Sequence, residues 1–306
     1  MNKDFIAVAD LSADEVRGML ELALDLKREY FNGGNRPILS GKVLGMIFNK
    51  PSLRTRISFD MAMRHLGGDA LFISPAEIGL GQRESIADVA RVMSGYVSAI
   101  MARVFAHEHV MELAKWSSVP VINGLSDYNH PCQAIGDIFT IYEHFKGLEH
   151  LNVVFIGDGN NVAVSLVHAC AILGMNFTIA NPEGYDIDPQ AWKSAEKLAT
   201  QSGSTLNHSR DPNDAVRKAD VIYTDTWTSM GQEEETEKRK KVFPPYQVNS
   251  DLIKKAKETA IVMHCLPAHR GYEITDEVAD GPQSAIFKQA HNRLHAQKAI
   301  LVKLIA

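Results

Sequence analysis

The sequence predicts an α/β protein of two doubly wound lobes, each a parallel sheet flanked by helices, with the active site in the cleft between them. Three observations predict it. Short apolar runs alternate with helical-period segments, the rhythm of parallel strands joined by crossover helices. The rhythm runs through two series that meet near 147–150. The length, 306 residues, is enough for two cores.

Ser12-Ala13-Asp14-Glu15 reads as a capping box, with acidic side chains at the positive end of a helix dipole. Val16, Met19, Leu20, Ala23 and Leu26 keep helical spacing, and Asn32-Gly33-Gly34 stops the helix. Val43–Phe48 reads as a strand, and a helix follows over 55–66. A strand over 70–73 leads to a helix over 85–94. Strand Ala99–Arg103 is followed by a helix over 108–116, a strand over 119–122 and a long helix over Pro131–Phe145. The second series has strand Asn152–Ile156, helix 163–173, strand 177–180, helix 190–200, strands Val221–Thr224 and 260–263, and a last helix over 284–304. The expected domains are 1–147, completed by the C-terminal helix at about 284–306, and 148–283.

Composition narrows the partners. Hydrophobic residues make 45% and charged residues 23% of the chain, ordinary values for a soluble globular protein. The net charge of -5 gives no basic field for nucleic acid or an anionic membrane. No apolar run reaches spanning length. An anionic ligand must therefore be held by local cations and backbone donors. Cys132, Cys170 and Cys265 show no CxxC pairing and no metal-ligand spacing, which fits a reducing compartment. The N-terminal segment lacks the marks of a secretory signal or transit peptide. A cytoplasmic protein with no bound metal is expected.

Ligands of open α/β sheets sit beyond the carboxyl ends of the strands, so the loops there carry the function. Ser52-Leu53-Arg54-Thr55-Arg56 follows a strand and opens a helix. Free N–H groups, two hydroxyls and two guanidinium forks suit a phosphate there. Two arginines at a helix start oppose its dipole, a conflict that a bound anion relieves. The bland alternative is a solvated, capped helix start. Arg103 closes an apolar strand, as either a ligand contact or a surface arginine. His130-Pro131-Cys132-Gln133 opens the long helix with proline at its first position. An imidazole there tends to stay neutral and can donate to a carbonyl oxygen; it could equally be a cap.

Gly157-Asp158-Gly159-Asn160-Asn161 tempts a dinucleotide reading, but G-x-G-x-x-G needs glycine where Val162 stands. Asn160 and Asn161 suit the polar ends of an amino acid instead. Asp225-Thr226-Trp227-Thr228-Ser229-Met230-Gly231 follows another strand, where Asp225 could pair with an ammonium and Gly231 suits a closing loop. The run after it, 233–241, reads as a solvated helix. His264-Cys265-Leu266-Pro267 follows the last strand. Cys265 could be a nucleophile, a ligand contact or a small buried hydrophobe. Arg293, in the final helix, is a further candidate for the phosphate.

Ser-x-Arg-Thr-Arg, His-Pro-Cys-Gln, Asp-x-x-x-Ser-Met-Gly and His-Cys-Leu-Pro, in this order over about 5–304, resemble the ornithine carbamoyltransferases. Aspartate carbamoyltransferases share the first motif and the His-Pro-x-Gln frame but usually lack Cys132 combined with His264-Cys265-Leu266-Pro267. The resemblance implies that the first domain binds carbamoyl phosphate and the second L-ornithine. Ser52, Leu53, Arg54 and Thr55 would hold the phosphate. Arg103, His130 and Gln133, with Pro131 and Cys132 in the same turn, would meet the carbamoyl end. Arg293 and the Cys265–Leu266 backbone would complete that pocket. Asn161, Asp225, Ser229 and Met230 would hold the α-amino and carboxylate groups of ornithine. Arg54, Thr55, Arg103, His130 and Cys265 would be the catalytic set, with Cys265 beside the ornithine side chain rather than acylated. The resemblance also implies a homotrimer or a multiple of trimers. Many members carry a glutamine, reaching a neighbouring subunit, where Gly79 stands here; Gln82 is the candidate substitute.

The implied reaction is direct attack of the neutral δ-amine on the carbamoyl carbon, with no metal or organic cofactor. Rivals are a carbamoyltransferase for another amine (putrescine, acetylornithine or aspartate), an NAD-dependent dehydrogenase, and a non-catalytic amino-acid-binding protein.

Overall fold

The computed structural model describes residues 3–81, 83–229, 231 and 233–306. They form two compact units, 1–139 with 291–306, and 140–290.

The first unit holds strands β1 Val43–Phe48, β2 Asp69–Ile73, β3 Ala99–Arg103 and β4 Val121–Leu125, parallel and in the order β2-β1-β3-β4. The inner strands are apolar up to the closing Arg103 of β3 because both their faces are covered; every residue of β3 is buried, Arg103 included. Its helices are α1 Ala13–Phe31, α2 Leu53–His65, α3 Pro75–Ile78, α4 Ile86–Ser94, α5 His107–Trp116 and the first part of α6 Pro131–Phe145. The box at Ser12 forms as expected: Ser12 Oγ accepts from Glu15 N at 3.2 Å, and Ser12 N donates to Glu15 Oε2 at 2.8 Å. The strand expected over 119–122 starts later, at Val121. Pro120 has no N–H to give the ladder, and only its carbonyl takes part, accepting from Ile100 N at 2.9 Å.

The second unit holds β5 Asn152–Ile156, β6 Asn176–Ala180, β7 Leu206–Ser209, β8 Val221–Thr224 and β9 Ile261–His264, parallel and in the order β7-β6-β5-β8-β9. Its helices are α7 Asn161–Leu173, α8 Pro189–Ser202, α9 Pro212–Ala215, α10 Thr236–Val242, α11 Ser250–Ile253 and α12 Asp276–Ala279. The chain then enters α13 Ile286–Ile305, whose later part belongs to the first unit. From Val162 to Leu173, α7 is buried on all sides, which its nearly unbroken apolar sequence requires. Edge strand β7 carries no apolar alternation and was not foreseen; backbone pairing with β6 alone forms it. No helix among the described residues is long and apolar enough to cross a membrane.

The final helix buries an uncommon polar set in the first unit. His295 and Lys298 pack near Tyr30, which stacks on His65 with ring centroids 4.7 Å apart. Burial first, then the charges of Lys298 and Lys27, holds the His295 imidazole down to about 3. An unfolded histidine protonates near pH ~6.5, so below that pH the unfolded chain binds the extra proton. This depressed group therefore contributes its stability above about pH 6.5 and loses it as pH falls toward the folded value. Between pH 7 and pH 5 the loss is about 2 kcal/mol. Urea midpoints at both pH values should fall further in the parent than in His295→Gln. Equal falls would remove the assignment.

Candidate active site

Unit one gathers cations at the ends of β1 and β3. Ser52 caps α2: its Oγ accepts from Thr55 N at 3.2 Å and donates to Thr55 Oγ1 at 3.1 Å. The first turn of α2 carries no acidic residue, so its N–H groups face no competing carboxylate of their own turn. Thr55 is fully buried, and Arg293 Nη2 donates to its hydroxyl at 3.0 Å. The final helix thus joins the Ser52 segment, a contact that local sequence does not signal. Leu53 is 71% exposed, and Arg56 lies over the Phe72 ring at 4.1 Å.

His130 is buried where α6 begins. Burial is the main cause that pushes its imidazole well below the usual range, and Arg293, Arg103, Lys50 and Arg54 add to the effect in that order. A neutral ring amid four cations is the environment expected for a donor to a developing oxyanion. Lys50 was missed by the sequence reading. It sits directly before Pro51-Ser52, is buried, and lies 5.1 Å from the Phe105 ring centroid. Gln133 Nε2 donates to Asp137 Oδ1 at 2.7 Å, which assigns its amide and leaves the buried Oε1 without a partner among the described residues. Pro131 opens α6 as expected. The Cys132 thiol points to the Asn123 carbonyl at 3.3 Å, and burial pushes it up to about 12, so the side chain is a core thiol.

Gly79 ends α3 with φ 50°, in the left-handed region. A Cβ there would lie 2.8 Å from Arg83 Cβ. The backbone itself therefore favours glycine over the glutamine that the resemblance led us to expect. Gln82 and Met230 lie outside the described residues.

Unit two builds its site around Asp225, which follows β8 and is buried. Oδ2 accepts from Asn160 Nδ2 at 2.8 Å; Oδ1 accepts from Thr226 N at 2.8 Å and from the Cys265 thiol at 2.9 Å. Asn160 also caps α7, its Oδ1 accepting from Val162 N and Ala163 N. Asn161, expected to hold the amino acid, is the first helical residue beside it. Ser229 is half-buried. A cavity of about 440 Å³ borders the same loops through Thr226, Trp227, Thr228 and Pro267.

The Gly157-Asp158-Gly159 segment has a packing explanation. A Cβ on Gly159 would lie 2.3 Å from the Asp186 carbonyl carbon, so close backbone approach, not a phosphate, requires that glycine. Asp158 pairs with Arg239 Nη1 at 2.7 Å, and the same nitrogen donates to the Trp227 carbonyl at 2.7 Å. Arg239 lies in α10, within the run expected to be solvated, yet is only 4% exposed.

Asp225, His264 and Cys265 bring possible metal donors within 4.8 Å of one another, a grouping their spacing does not announce. Both ring nitrogens of His264 already have partners: Nδ1 accepts from Leu266 N at 2.8 Å, and Nε2 lies 3.1 Å from Glu273 Oε1. A cation would have to displace these bonds.

Known proteins match the chain in two consecutive parts, the second of which takes in the stretch 291–304 that packs with the first unit. A family model described as the carbamoyl-P binding domain of aspartate/ornithine carbamoyltransferase matches residues 3–143, and its Asp/Orn binding domain matches residues 149–304. An ornithine carbamoyltransferase of Anoxybacillus flavithermus is 51% identical over 303 residues, 99% of this chain and 96% of that protein. The structure of the Pyrococcus furiosus ornithine carbamoyltransferase superposes with a TM-score of 0.96 at 52% identity, covering 99% of this chain and 96% of that one. The anabolic enzyme of Campylobacter jejuni superposes with a TM-score of 0.94 at 40% identity, covering 99% of both chains.

Proposed function

The chain belongs to the aspartate/ornithine carbamoyltransferase family, and we propose how its residues carry out the ornithine carbamoyltransferase reaction. The carbamoyl group passes from carbamoyl phosphate to the δ-amine of L-ornithine, giving L-citrulline and phosphate. The anabolic naming of similar enzymes fits a place in arginine biosynthesis. The observation that carries the assignment of residues is the burial of His130 together with Lys50, Arg103 and Arg293, whose charges with that of Arg54 hold its imidazole below the usual range.

In this reading Ser52, Thr55 and the free N–H groups of α2 receive the phosphate, with Arg54 and Arg293 neutralising its charge. His130, donating one hydrogen bond, and Arg103 polarise the carbamoyl oxygen. Gln133 Oε1, aimed by Asp137, accepts from the carbamoyl nitrogen. Asp225 pairs with the α-ammonium of ornithine, which disfavours acceptors lacking that group. The neutral δ-amine attacks the carbamoyl carbon, and negative charge develops on oxygen where donors already point. The tetrahedral centre then expels phosphate, which takes up the proton that the nitrogen loses. Much of the rate comes from holding two bound reactants in place.

The three cysteines are free and buried, which supports a reducing, cytoplasmic setting. Leu53, Ile57 and Leu71, on α2 and edge strand β2, are all more than half exposed. Such an apolar edge supports assembly with further copies, in the homotrimer or multiple of trimers that we favour.

The test is the purified protein with carbamoyl phosphate and a panel of ornithine, acetylornithine, putrescine and aspartate. Citrulline from ornithine, with the other acceptors at least ~100-fold slower in kcat/KM, is expected. Absence of citrulline above background would overturn the reading.

A further inference from the structure

We propose that Glu273 is a positioning residue for the acceptor site: it fixes His264, and through His264 the turn that sets the Cys265 thiol against Asp225. The proposal rests on the reading of Asp225 as the anchor of ornithine.

The chain of contacts lies within unit two. Glu273 and His264 are both fully buried. The Leu266 N–H donates to His264 Nδ1 at 2.8 Å, so Nδ1 carries no hydrogen. The ring hydrogen is therefore on Nε2, which donates to Glu273 Oε1 at 3.1 Å. The same carboxylate oxygen accepts from the His269 N–H at 2.6 Å. The His264 N–H donates to Gln289 Oε1 at 2.8 Å, and Gln289 Nε2 donates to the Tyr223 hydroxyl at 3.0 Å. The imidazole is thus held at both nitrogens and its backbone at a third point.

Glu273 selects the tautomer. In the other one, Nδ1–H would meet the Leu266 N–H, two donors face to face. A carboxylate that can only accept makes Nε2–H the favoured form and frees Nδ1 to accept. The Leu266 bond matters because Leu266 has φ 58°, a left-handed conformation that a leucine avoids without support. That turn follows Cys265, whose thiol donates to Asp225 Oδ1 at 2.9 Å. Losing Glu273 would release the ring, then the turn, then the thiol, and leave Asp225 with one donor fewer. The contacts named here run from Glu273 to Asp225, the anchor of ornithine, so the damage should fall mainly on the acceptor, with carbamoyl phosphate affected only through the Cys265–Leu266 backbone.

Steady-state kinetics of Glu273→Ala test it. The KM for L-ornithine should rise about tenfold, the size of one lost hydrogen bond, while the KM for carbamoyl phosphate stays within about twofold. Glu273→Gln still offers a carbonyl oxygen to both N–H donors and should recover most of the ornithine KM. His264→Ala breaks the chain at its other end and should show the same split, and the double variant should be no more than about twofold worse than His264→Ala alone. It also serves if Glu273→Ala does not accumulate as folded protein. An unchanged ornithine KM in Glu273→Ala, or equal rises for both substrates, would overturn the proposal. Asp225→Asn separates the two layers. If it leaves the ornithine KM unchanged, the acceptor-site reading itself falls. If it raises that KM while Glu273→Ala does not, only the role of Glu273 falls.

Discussion

Replacing Arg54 by alanine should lower kcat/KM about a thousandfold while leaving the apo protein folded. The magnitude follows from the chemistry of the group that leaves. Phosphate departs with more negative charge than it carries in the mixed anhydride, so a guanidinium beside it stabilises the transition state more than the bound substrate. One preorganised donor of this kind is worth about 10²–10³ in rate, and the loss of a full charge belongs at the upper end. Lysine at position 54 should restore only part of the rate, because an ammonium cannot make the paired, planar contact. His130 offers an internal control. Arg54 is the smallest of the four cationic influences on its imidazole, and burial is the largest cause. The variant's His130 should therefore stay neutral near pH 7, and the pH–rate profile should keep its shape while its height falls. Inorganic phosphate should raise the melting temperature of the parent and have less effect on the variant, since only a ligand of the folded state stabilises it. Full activity in Arg54→Ala would remove the assignment.

That segment was legible in sequence because its signals are local. A strand, a capping serine and a helix start lie within a few residues, and the charge conflict of Arg54 and Arg56 is visible without a fold. In the structure the charge of Arg54 acts on His130, while Arg56 lies over Phe72. Arg293 reaches Thr55 across 238 positions of sequence, and no local pattern marks it; only the family resemblance named it. Lys50 drew no reading, because a lysine beside a proline carries no local sign of burial. Asn160 and Asn161 differ by one residue, and which of them caps α7 depends on where the first helical turn closes. Glu273 sat in an unremarked loop, since a carboxylate's burial is set by what packs around it. The strand and helix rhythm was legible for the inner strands, whose burial demands apolar residues, and failed at β7, an edge strand that needs none.

Arg239 shows the same limit with the larger consequence for stability. Read alone, 233–241 is a charged helix facing water. In the fold, its guanidinium meets the Asp158 carboxylate and the Trp227 carbonyl, with Glu235 on the third side and the Tyr185 ring at 4.8 Å. Asp158 is buried, and burial raises its carboxyl above the usual range even though Arg239 pulls the other way. Arg239→Ala therefore strands a buried charge, at a cost of about 3–5 kcal/mol. The cost should depend on pH in a set direction. Without Arg239 the folded-state value of Asp158 rises further above that of the unfolded chain. The carboxyl can then take up a proton as pH falls, so the penalty shrinks toward pH 4 and grows toward pH 7. Asp158→Asn removes the stranded charge, so Asp158→Asn with Arg239→Ala should be less destabilised than the two single changes summed. Urea unfolding of the four proteins at pH 5 and pH 7 measures all of this. Additive losses, or a loss under about 1 kcal/mol in Arg239→Ala, would mean that the pair contributes no more than a surface bridge. Because the same nitrogen holds the Trp227 carbonyl two residues beyond Asp225, the variant's folded fraction should also bind ornithine more weakly. Stability and acceptor affinity would then fall together through one side chain that the sequence places among solvated charges.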